Sequence, residues 1–286
     1  MAVVNVNGRI TSERDAVISV FDHGFLYGEG IYETMRTRRS VPFLYERHMR
    51  RMRRSARMMA LTLPFSDDSL ADRIRETMAA ASLEGREAHV RVIVTRGVGE
   101  LTYDLAATPT PSVVIIVKPH VDLPEIVYEH GVRVVIVNVV RNHPGSVSPM
   151  IKSNNLMNSA LAMQEALARG AFEGVMRNYR GELAECTTSN IFVVKDGVAR
   201  TPPLDAGILP GVTREVLLEA SRSSDVDVRE SVLRDDDLFG ADEAFLTGTT
   251  RGVVPIVKVD DRTIGSGRPG PVTKILRAWL QRLADS

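Results

Sequence analysis

Apolar and polar residues alternate at the start of the chain, and this alternation predicts a β-hairpin. Val3–Val6 would form the first strand, Asn7 and Gly8 the turn, and residues 9–10 the start of the second strand. Short apolar and β-branched runs, bounded by glycine or polar residues, predict further strands at residues 16–21, 31–37, 41–44, 89–96 and 112–118. The uninterrupted apolar run of the last segment is typical of a buried strand.

A helical period follows the first strands. Met49, Met52, Ala56, Met59 and Ala60 fall on one face of residues 46–61, while arginines occupy the other positions, so an amphipathic helix is predicted there. A second helix is expected over residues 66–81. Ser66 is a suitable N-cap for it, and acidic residues follow in the first turn.

The second half of the chain also mixes strands with helices. Strands are predicted at residues 132–140, 174–178 and 191–195, and helices at residues 154–169, 213–223 and 272–283. Prolines and charged residues at positions 119–130 indicate a linker. We therefore expect a small N-terminal α+β domain at residues 1–120, a linker at 121–131 and a larger domain at 132–286. This interleaving favours an α+β fold with antiparallel or mixed sheets and flanking helices over a doubly wound fold.

Composition narrows the partners. Lys plus Arg and Asp plus Glu both number 36, so the chain has no global field that would draw it to nucleic acid or an anionic membrane, and we expect neither. Cys186 is the one cysteine, which excludes an intramolecular disulfide and fits a reducing compartment. The N-terminus lacks the pattern of a secretory signal and the longest apolar runs are only strand-length, so a cytoplasmic location is expected.

Several motifs for known chemistries are missing from the sequence. It contains no glycine-rich dinucleotide fingerprint, no Walker-type phosphate loop, no Gly-x-Ser-x-Gly and no His-Glu-x-x-His. The six histidines are scattered, so we expect no metal site.

Four stretches carry a specific resemblance. They are DHGFLYGEGIYETMR at residues 22–36, MIKSNNLMN at 150–158, GELAECTTSNIF at 181–192, and GILPGVTR at 207–214 together with LTGTT at 246–250. In this order they resemble the class IV aminotransferases, which include branched-chain aminotransferases, D-amino acid aminotransferases and aminodeoxychorismate lyases. The resemblance covers nearly the whole chain and is nearest to the branched-chain enzymes. It implies the two-domain fold type IV, similar to D-amino acid aminotransferase, and pyridoxal 5'-phosphate as cofactor.

The resemblance gives Lys152 and Glu185 the central roles. By composition alone, Lys152 would be a solvated surface lysine, but its flanks are apolar or small and polar, which suits a buried amine. In the family the matching lysine forms the Schiff base with the cofactor and shuttles the proton. The matching glutamate pairs with the pyridine nitrogen of the cofactor. Only the resemblance selects Glu185 over Glu182, and either could simply be a turn residue.

Other matches concern the cofactor phosphate and ring. Arg51, in a His-x-x-Arg pattern with His48, matches the phosphate arginine of the family, and Leu209 matches the residue that packs on one ring face. The resemblance also implies phosphate ligands at two further places. Val212 and Thr213 would lie at a helix N-terminus, and Gly248, Thr249 and Thr250 in a turn. The alternative for the arginine-rich residues 47–57 is a solvated face or, more remotely, a nucleic-acid-binding helix in a non-catalytic protein.

The substrate pocket is the least specific part of the resemblance. Arg91 matches an arginine of branched-chain enzymes that helps to position the substrate carboxylate, or it is a half-exposed strand residue. Tyr27 and Tyr32 would line the pocket, and Thr34 stands where those enzymes usually have glycine. The D-amino acid enzymes carry an Arg-x-His carboxylate trap where this chain has Leu101 and Tyr103, and the lyases also have arginine at the first position.

The expected function is a ping-pong transamination from a branched-chain L-amino acid to 2-oxoglutarate, in a homodimer or higher homo-oligomer whose substrates are amino and keto acids. The rivals within the fold are a D-amino acid aminotransferase, an (R)-amine transaminase and an aminodeoxychorismate lyase.

Overall fold

The computed structural model of the chain describes residues 1–285. The chain divides into two compact units, and each unit has its own sheet. Unit 1 contains Met1–Val121 and the short segment Ile151–Asn155, and unit 2 contains Asp122–Met150 and the rest of the chain from Leu156. The predicted large domain, residues 132–286, included residues 151–155, whereas the contacts of this segment lie within unit 1.

Unit 1 is built on a six-stranded antiparallel sheet. Its strands are β1 (Val3–Val6), β2 (Arg9–Ser12), β3 (Gly30–Arg38), β4 (Val41–Pro42), β5 (Ala88–Thr95) and β6 (Ser112–Pro119), in the order β2-β1-β6-β5-β3-β4. The predicted hairpin is present, with Val3 opposite Ser12. Its helices are α1 (His23–Leu26), α2 (Tyr45–Met58) and α3 (Asp67–Ala80).

The core of unit 1 lies between α2, α3 and one face of the sheet. Alternate residues of β5, from Ala88 to Val94, are fully buried, and Met49 and Met52 of α2 and Leu70 of α3 are buried in the same cluster. Each buried valine, methionine or leucine among them contributes about 1.5–3 kcal/mol. The periods of 2 and 3.6 read from the sequence therefore correspond to real faces. As predicted, Ser66 caps α3, and Ser69 completes a capping box with it.

The predicted strand at residues 16–21 is wrong. These residues are irregular, and the nearest pairing is an isolated bridge between Asp22 and Val98. Val17 and Val20 are 75% and 62% exposed. The strand was predicted on the assumption that these apolar side chains pack in a core. They do not pack in the core of unit 1, so the pattern was misleading here.

Unit 2 is built on a nine-stranded mixed sheet. Its strands are β7 (Val132–Ile136), β8 (Glu173–Arg177), β9 (Leu183–Cys186), β10 (Asn190–Lys195), β11 (Val198–Thr201), β12 (Val228–Glu230), β13 (Glu243–Gly248), β14 (Gly252–Val259) and β15 (Arg262–Thr263). The order is β12-β11-β10-β13-β14-β7-β8-β9, with β15 paired to β14, and β7 runs parallel to both of its neighbours.

Up to residue 285, five α-helices belong to unit 2. They are α4 (Glu125–His130), α5 (Met157–Ala168), α6 (Val212–Ala220), α7 (Asp235–Phe239) and α8 (Pro271–Asp285). The predicted linker thus contains a short helix. The helix expected from residue 154 begins only at Met157, because Asn154 pairs its backbone with Gly30 of β3.

Phe192 of β10 and Phe245 of β13 pack together near the middle of the sheet in unit 2. They are register partners, and their rings stack with centroids 4.8 Å apart. Between residues 1 and 285, no helix is long and apolar enough to cross a membrane.

Candidate active site

The backbone around Lys152 is fixed on both sides within unit 1. Its carbonyl accepts a hydrogen bond from Tyr32 N at 2.9 Å, and its own N–H donates to Ser55 Oγ at 3.1 Å. Ser153 and Asn154 extend this pairing along β3 through a bridge to Ile31 and a bond to Gly30. Gly30 is required here, because a Cβ at this position would lie 2.5 Å from Asn154 Nδ2. A two-sided attachment of this kind holds the Lys152 Cα in one place.

The amine of Lys152 lies in an environment that disfavours its charge. Part of the residue remains accessible, but desolvation around Nζ lowers its pKa, and the nearby Arg51 guanidinium lowers it further. Nζ lies 4.5 Å from the centroid of the Tyr32 ring. A lowered pKa makes the neutral amine, the form that attacks an aldehyde, more accessible here than in an ordinary lysine.

Arg51 belongs to a buried ion-pair network that the sequence did not reveal. Glu33 of β3 accepts from Arg51 Nε at 2.7 Å and from Arg51 Nη2 at 2.6 Å, and it contacts His48 Nδ1 at 2.7 Å. Burial would raise the pKa of Glu33, but the charge of Arg51 and the hydrogen bonds from Arg51 and His48 lower it to about 2. Glu33 thus stays ionised and fixes Arg51, the predicted phosphate residue.

His48 is the third member of that network. Burial lowers its pKa, so the ring is neutral near pH 7 and donates from Nδ1 to Glu33. Its Nε2 is buried without a hydrogen-bond partner. The His-x-x-Arg pattern thus places both side chains on a single carboxylate.

Tyr32, Thr34 and Arg91 lie together on adjacent strands. Thr34 of β3 is the register partner of Arg91 of β5, and the Arg91 guanidinium lies 4.0 Å from the centroid of the Tyr32 ring. Tyr27 lies apart from this group and contacts His23 and Tyr103, with ring centroids 4.9 and 5.1 Å away. Three of the four predicted substrate residues are therefore neighbours.

Glu185 of unit 2 is a buried carboxylate with hydrogen-bond donors at both of its oxygens. Arg141 Nε donates to its Oε1 at 2.8 Å, while Asn190 Nδ2 and Leu209 N donate to Oε2 at 3.1 and 3.0 Å. Arg141 was not predicted, because nothing in the loop after β7 singles it out. Glu182, by contrast, accepts from Asn178 and Arg180, two to four residues away, and so has the contacts of a turn residue.

Asn190 joins the Glu185 site to the start of α6. Besides Glu185, it donates to Leu209 O at 3.0 Å. A Cβ at Gly211, the N-cap of α6, would lie 2.0 Å from Asn190 Oδ1, so only glycine fits there. No side chain caps α6. The N–H groups of Val212 and Thr213, in its first turn, therefore remain available for an anion.

Gly248, Thr249 and Thr250 form the end of β13 and the turn that leads to β14. Arg251 N closes this turn on Gly248 O at 3.3 Å. The hydroxyl of Thr247, immediately before the turn, is buried and has no partner. An orphaned donor beside a glycine turn suits a bound oxyanion.

Taken separately, each unit has side chains that suit groups of pyridoxal 5'-phosphate, the cofactor that the resemblance predicts. Unit 1 offers an amine of lowered pKa for an aldehyde and an arginine for a phosphate. Unit 2 offers a carboxylate for a pyridine nitrogen, together with an uncapped helix start and an orphaned hydroxyl for a phosphate. Within residues 1–285, no group of three histidine, cysteine or acidic side chains could hold a metal ion.

Comparisons with known proteins support this fit. The family model for amino-transferase class IV matches residues 30–259. A Methanocaldococcus jannaschii protein provisionally named as a branched-chain-amino-acid aminotransferase is 36% identical over 274 residues, which are 96% of this chain and 93% of that protein. A D-alanine aminotransferase from Bacillus licheniformis is 31% identical over 275 residues, covering 96% and 94% of the two chains.

A solved structure also resembles this chain over nearly the full length of both chains. The T.th. branched-chain amino acid aminotransferase, complexed with N-(5'-phosphopyridoxyl)-L-glutamate, superposes with a TM-score of 0.90 at 27% identity. The match covers 99% of this chain and 94% of that one.

Proposed function

The chain belongs to the class IV aminotransferases, as the sequence predicted, and we propose that it uses pyridoxal 5'-phosphate to move an amino group from a branched-chain L-amino acid to 2-oxoglutarate. The observation that carries this proposal is the amine of Lys152, desolvated and mounted on a backbone that is bonded on both sides. The order of steps would be ping-pong, with the donor leaving as a keto acid before the acceptor binds.

Lys152 would do two things in each half-reaction. Its neutral amine would hold the cofactor covalently until the donor amine takes its place. Released Lys152 would then accept the proton from the Cα of the donor as a general base. As a general acid, it would deliver this proton to the cofactor carbon that is bonded to the donor nitrogen. The lowered pKa of Lys152 supports both tasks, since each one begins with the free amine.

Pyridoxal phosphate, when bound, supplies an electron sink for the carbanion at the substrate Cα. Glu185 would keep the pyridine nitrogen protonated, which this sink requires. The Arg141 guanidinium donates to Glu185 Oε1 at 2.8 Å, and Asn190 and Leu209 N fix the orientation of the carboxylate. Leu209 would also pack on one face of the ring.

The phosphate would be held by dipoles and one full charge. Val212 and Thr213 would donate from the uncapped start of α6, and Gly248, Thr249 and Thr250 from the turn after β13. Arg51 would supply the full positive charge, with Glu33 fixing its orientation through two hydrogen bonds.

The substrate side would use Tyr32, Thr34, Arg91 and Tyr27. The stacking of Arg91 on Tyr32 supports a place for a carboxylate beside an aromatic wall, which suits an amino acid with an apolar side chain. The names of the Methanocaldococcus jannaschii relative and the T.th. enzyme support the branched-chain donor.

A D-amino acid donor is the second candidate, favoured by the 31% identity to a D-alanine aminotransferase. We rank it lower because Leu101 and Tyr103, 67% and 79% exposed, stand where those enzymes carry their carboxylate trap.

The homodimer is also part of our proposal, supported by exposed apolar side chains such as Val17, Val20 and Phe25. A cytoplasmic location suits the free thiol of Cys186.

A half-reaction with single amino donors tests the proposal. The purified cofactor-loaded protein is mixed with L-leucine, D-alanine or a chiral amine, and the cofactor spectrum is followed. Conversion by L-leucine is expected, and conversion by D-alanine alone would refute the branched-chain donor. Release of pyruvate from aminodeoxychorismate without an amino acceptor would identify a lyase. A colourless protein retained on DNA would instead favour the nucleic-acid-binding alternative.

The covalent role of Lys152 has its own control. Borohydride reduction followed by peptide mapping should label Lys152 and spare Lys195, which is exposed and paired with Asp242. Labelling that persists in Lys152→Ala would refute the assignment.

A further inference from the structure

Glu173 is a fully buried carboxylate that the proposed chemistry does not use. It begins β8, and its oxygens accept hydrogen bonds from the turn between β9 and β10. The donors are Thr187 Oγ1 at 3.1 Å, Thr188 N at 3.0 Å, Thr188 Oγ1 at 2.6 Å and Ser189 Oγ at 2.8 Å. One carboxylate therefore fixes three successive residues just after Glu185.

The positive charge that balances Glu173 comes from Arg251. Arg251 Nη1 forms an ion pair with Glu173 Oε1, and its guanidinium lies 5.0 Å from the centroid of the Phe172 ring. Arg251 directly follows Thr250 in the turn closed on Gly248. Glu173 and Arg251 are 78 positions apart in sequence, so the pair joins two distant turns of unit 2.

The turn that would bind the phosphate lies against this pair. A Cβ on Gly248 would be 3.8 Å from Ser189 Oγ, which itself donates to Glu173. An uncompensated carboxylate one side chain away from an anion site would repel the anion. At ~10 Å and an effective dielectric of about 20, the repulsion corresponds to roughly tenfold in affinity.

We propose that Arg251 is a positioning residue which neutralises Glu173 and thereby keeps the Gly248–Thr249–Thr250 turn able to bind a phosphate. The inference rests on the proposed function for the identity of that phosphate, the one carried by the cofactor. Arg251 acts through Glu173 and the turn. Its effect is therefore specific to the phosphate and absent for the pyridine ring.

Two ligands that differ only in the phosphate test this role. Dissociation constants of pyridoxal phosphate and of pyridoxal are measured on the cofactor-free chain and on Arg251→Met. We expect the variant to bind pyridoxal phosphate on the order of tenfold more weakly and pyridoxal unchanged. Equal losses for both ligands, or no loss for either, would overturn the inference.

A second substitution separates charge from folding. In Arg251→Met, the further change Glu173→Gln removes the repelling charge and should restore most of the affinity for pyridoxal phosphate. No restoration would mean that Arg251 is only structural. The matched control is Arg180→Met, because Arg180 also pairs with a carboxylate, Glu182, and lies 5.3 Å from the centroid of a ring, that of Tyr179. It should leave both affinities unchanged.

Calorimetric titration with inorganic phosphate keeps the two proposals apart. In one outcome, the parent chain binds inorganic phosphate, Arg251→Met binds it more weakly, and neither pyridoxal compound binds. The role of Arg251 in neutralising Glu173 would then stand, and the proposed function would fail. If both pyridoxal phosphate and inorganic phosphate bind the parent and Arg251→Met equally, the proposed function stands and the role of Arg251 is refuted.

Discussion

The guanidinium of Arg91 lies 4.0 Å from the centroid of the Tyr32 ring, and the amine of Lys152 lies 4.5 Å from the same centroid. One aromatic ring thus contacts both the Arg91 cation and the desolvated amine of Lys152. The electron-rich face of the ring attracts the Arg91 guanidinium and fixes this long side chain.

Loss of the Tyr32 ring should therefore weaken the binding of substrate carboxylates. A cation–π contact is worth roughly 0.5–2 kcal/mol, so Tyr32→Leu should raise KM about threefold to thirtyfold. Tyr32→Phe keeps the ring and loses only the hydroxyl that hydrogen-bonds to Lys152, so it should raise KM less. Steady-state kinetics with L-leucine measures both variants. Phe239→Leu, which removes a ring 4.4 Å from Arg262, is the control and should not change KM. Equal KM values for the Phe and Leu variants would contradict the prediction.

The lowered pKa of Lys152 predicts how stability responds to pH. Desolvation lowers this pKa in the folded state below the ordinary value of 10.5, so the unfolded state binds more protons between the two pKa values. Stability of the cofactor-free chain should then rise with pH through that window. Lys152→Met removes the free-energy cost of burying a protonated amine, so it should raise Tm by about 2–4 °C at pH 7. This gain should shrink as the pH rises towards 10.5. A gain that is independent of pH would argue against a desolvated amine.

The Glu33–Arg51 pair predicts a loss of stability at the acid end of the pH range. The pKa of Glu33 is lowered from 4.5 to about 2, so its stabilisation is complete above 4.5 and is lost as the pH falls towards 2. Glu33→Gln leaves Arg51 buried without its carboxylate and should cost about 3–5 kcal/mol in urea unfolding at pH 7.

An exposed pair serves as the reference for that measurement. Asp67→Asn breaks the contact with Arg53; the side chains of Arg53 and Asp67 are 43% and 40% exposed, and the change should cost at most about 1 kcal/mol. Similar losses for Glu33→Gln and Asp67→Asn would show that the Glu33 network carries no special stability.

The contact between Gly211 and Asn190 predicts a coupled pair of substitutions. Gly211→Ala puts a methyl group 2.0 Å from Asn190 Oδ1, so Asn190 must move and release both Glu185 and Leu209 O. Affinity for pyridoxal phosphate should fall at least tenfold, about 1.4 kcal/mol. In an Asn190→Ala background the same substitution should cost less, because the clashing atom is gone. Additive effects in this double-mutant cycle would contradict the direct contact.

Sequence periodicity located most elements because it reports burial on a face. Ala88–Thr95 alternates as predicted, and α2 follows its methionines. Residues 16–21 do not form the predicted strand, because apolar side chains there, such as Val17, are exposed rather than packed on a sheet. Sequence periodicity also extended the helix before Met157, since it could not detect that Ser153 pairs with β3.

The charged network around the candidate site could not be predicted from local patterns. Arg51 and Lys152 could be selected by motif, but their neighbours lie far away in the chain. Glu33 and Arg51 are 18 positions apart, and Arg141 and Glu185 are 44 apart. Only the folded chain brings such partners within hydrogen-bonding distance, so spacing alone carries no signal for them.

The membership of Ile151–Asn155 in unit 1 has a consequence for synthesis on the ribosome. Met1–Val121 emerges first, yet the segment that pairs with the edge of β3 at Gly30 and Tyr32 comes about thirty residues later. At ~5–20 residues per second, that delay is roughly 2–7 s. During this interval the Gly30–Tyr32 part of β3 lacks these backbone partners, and the segment that carries Lys152 supplies them.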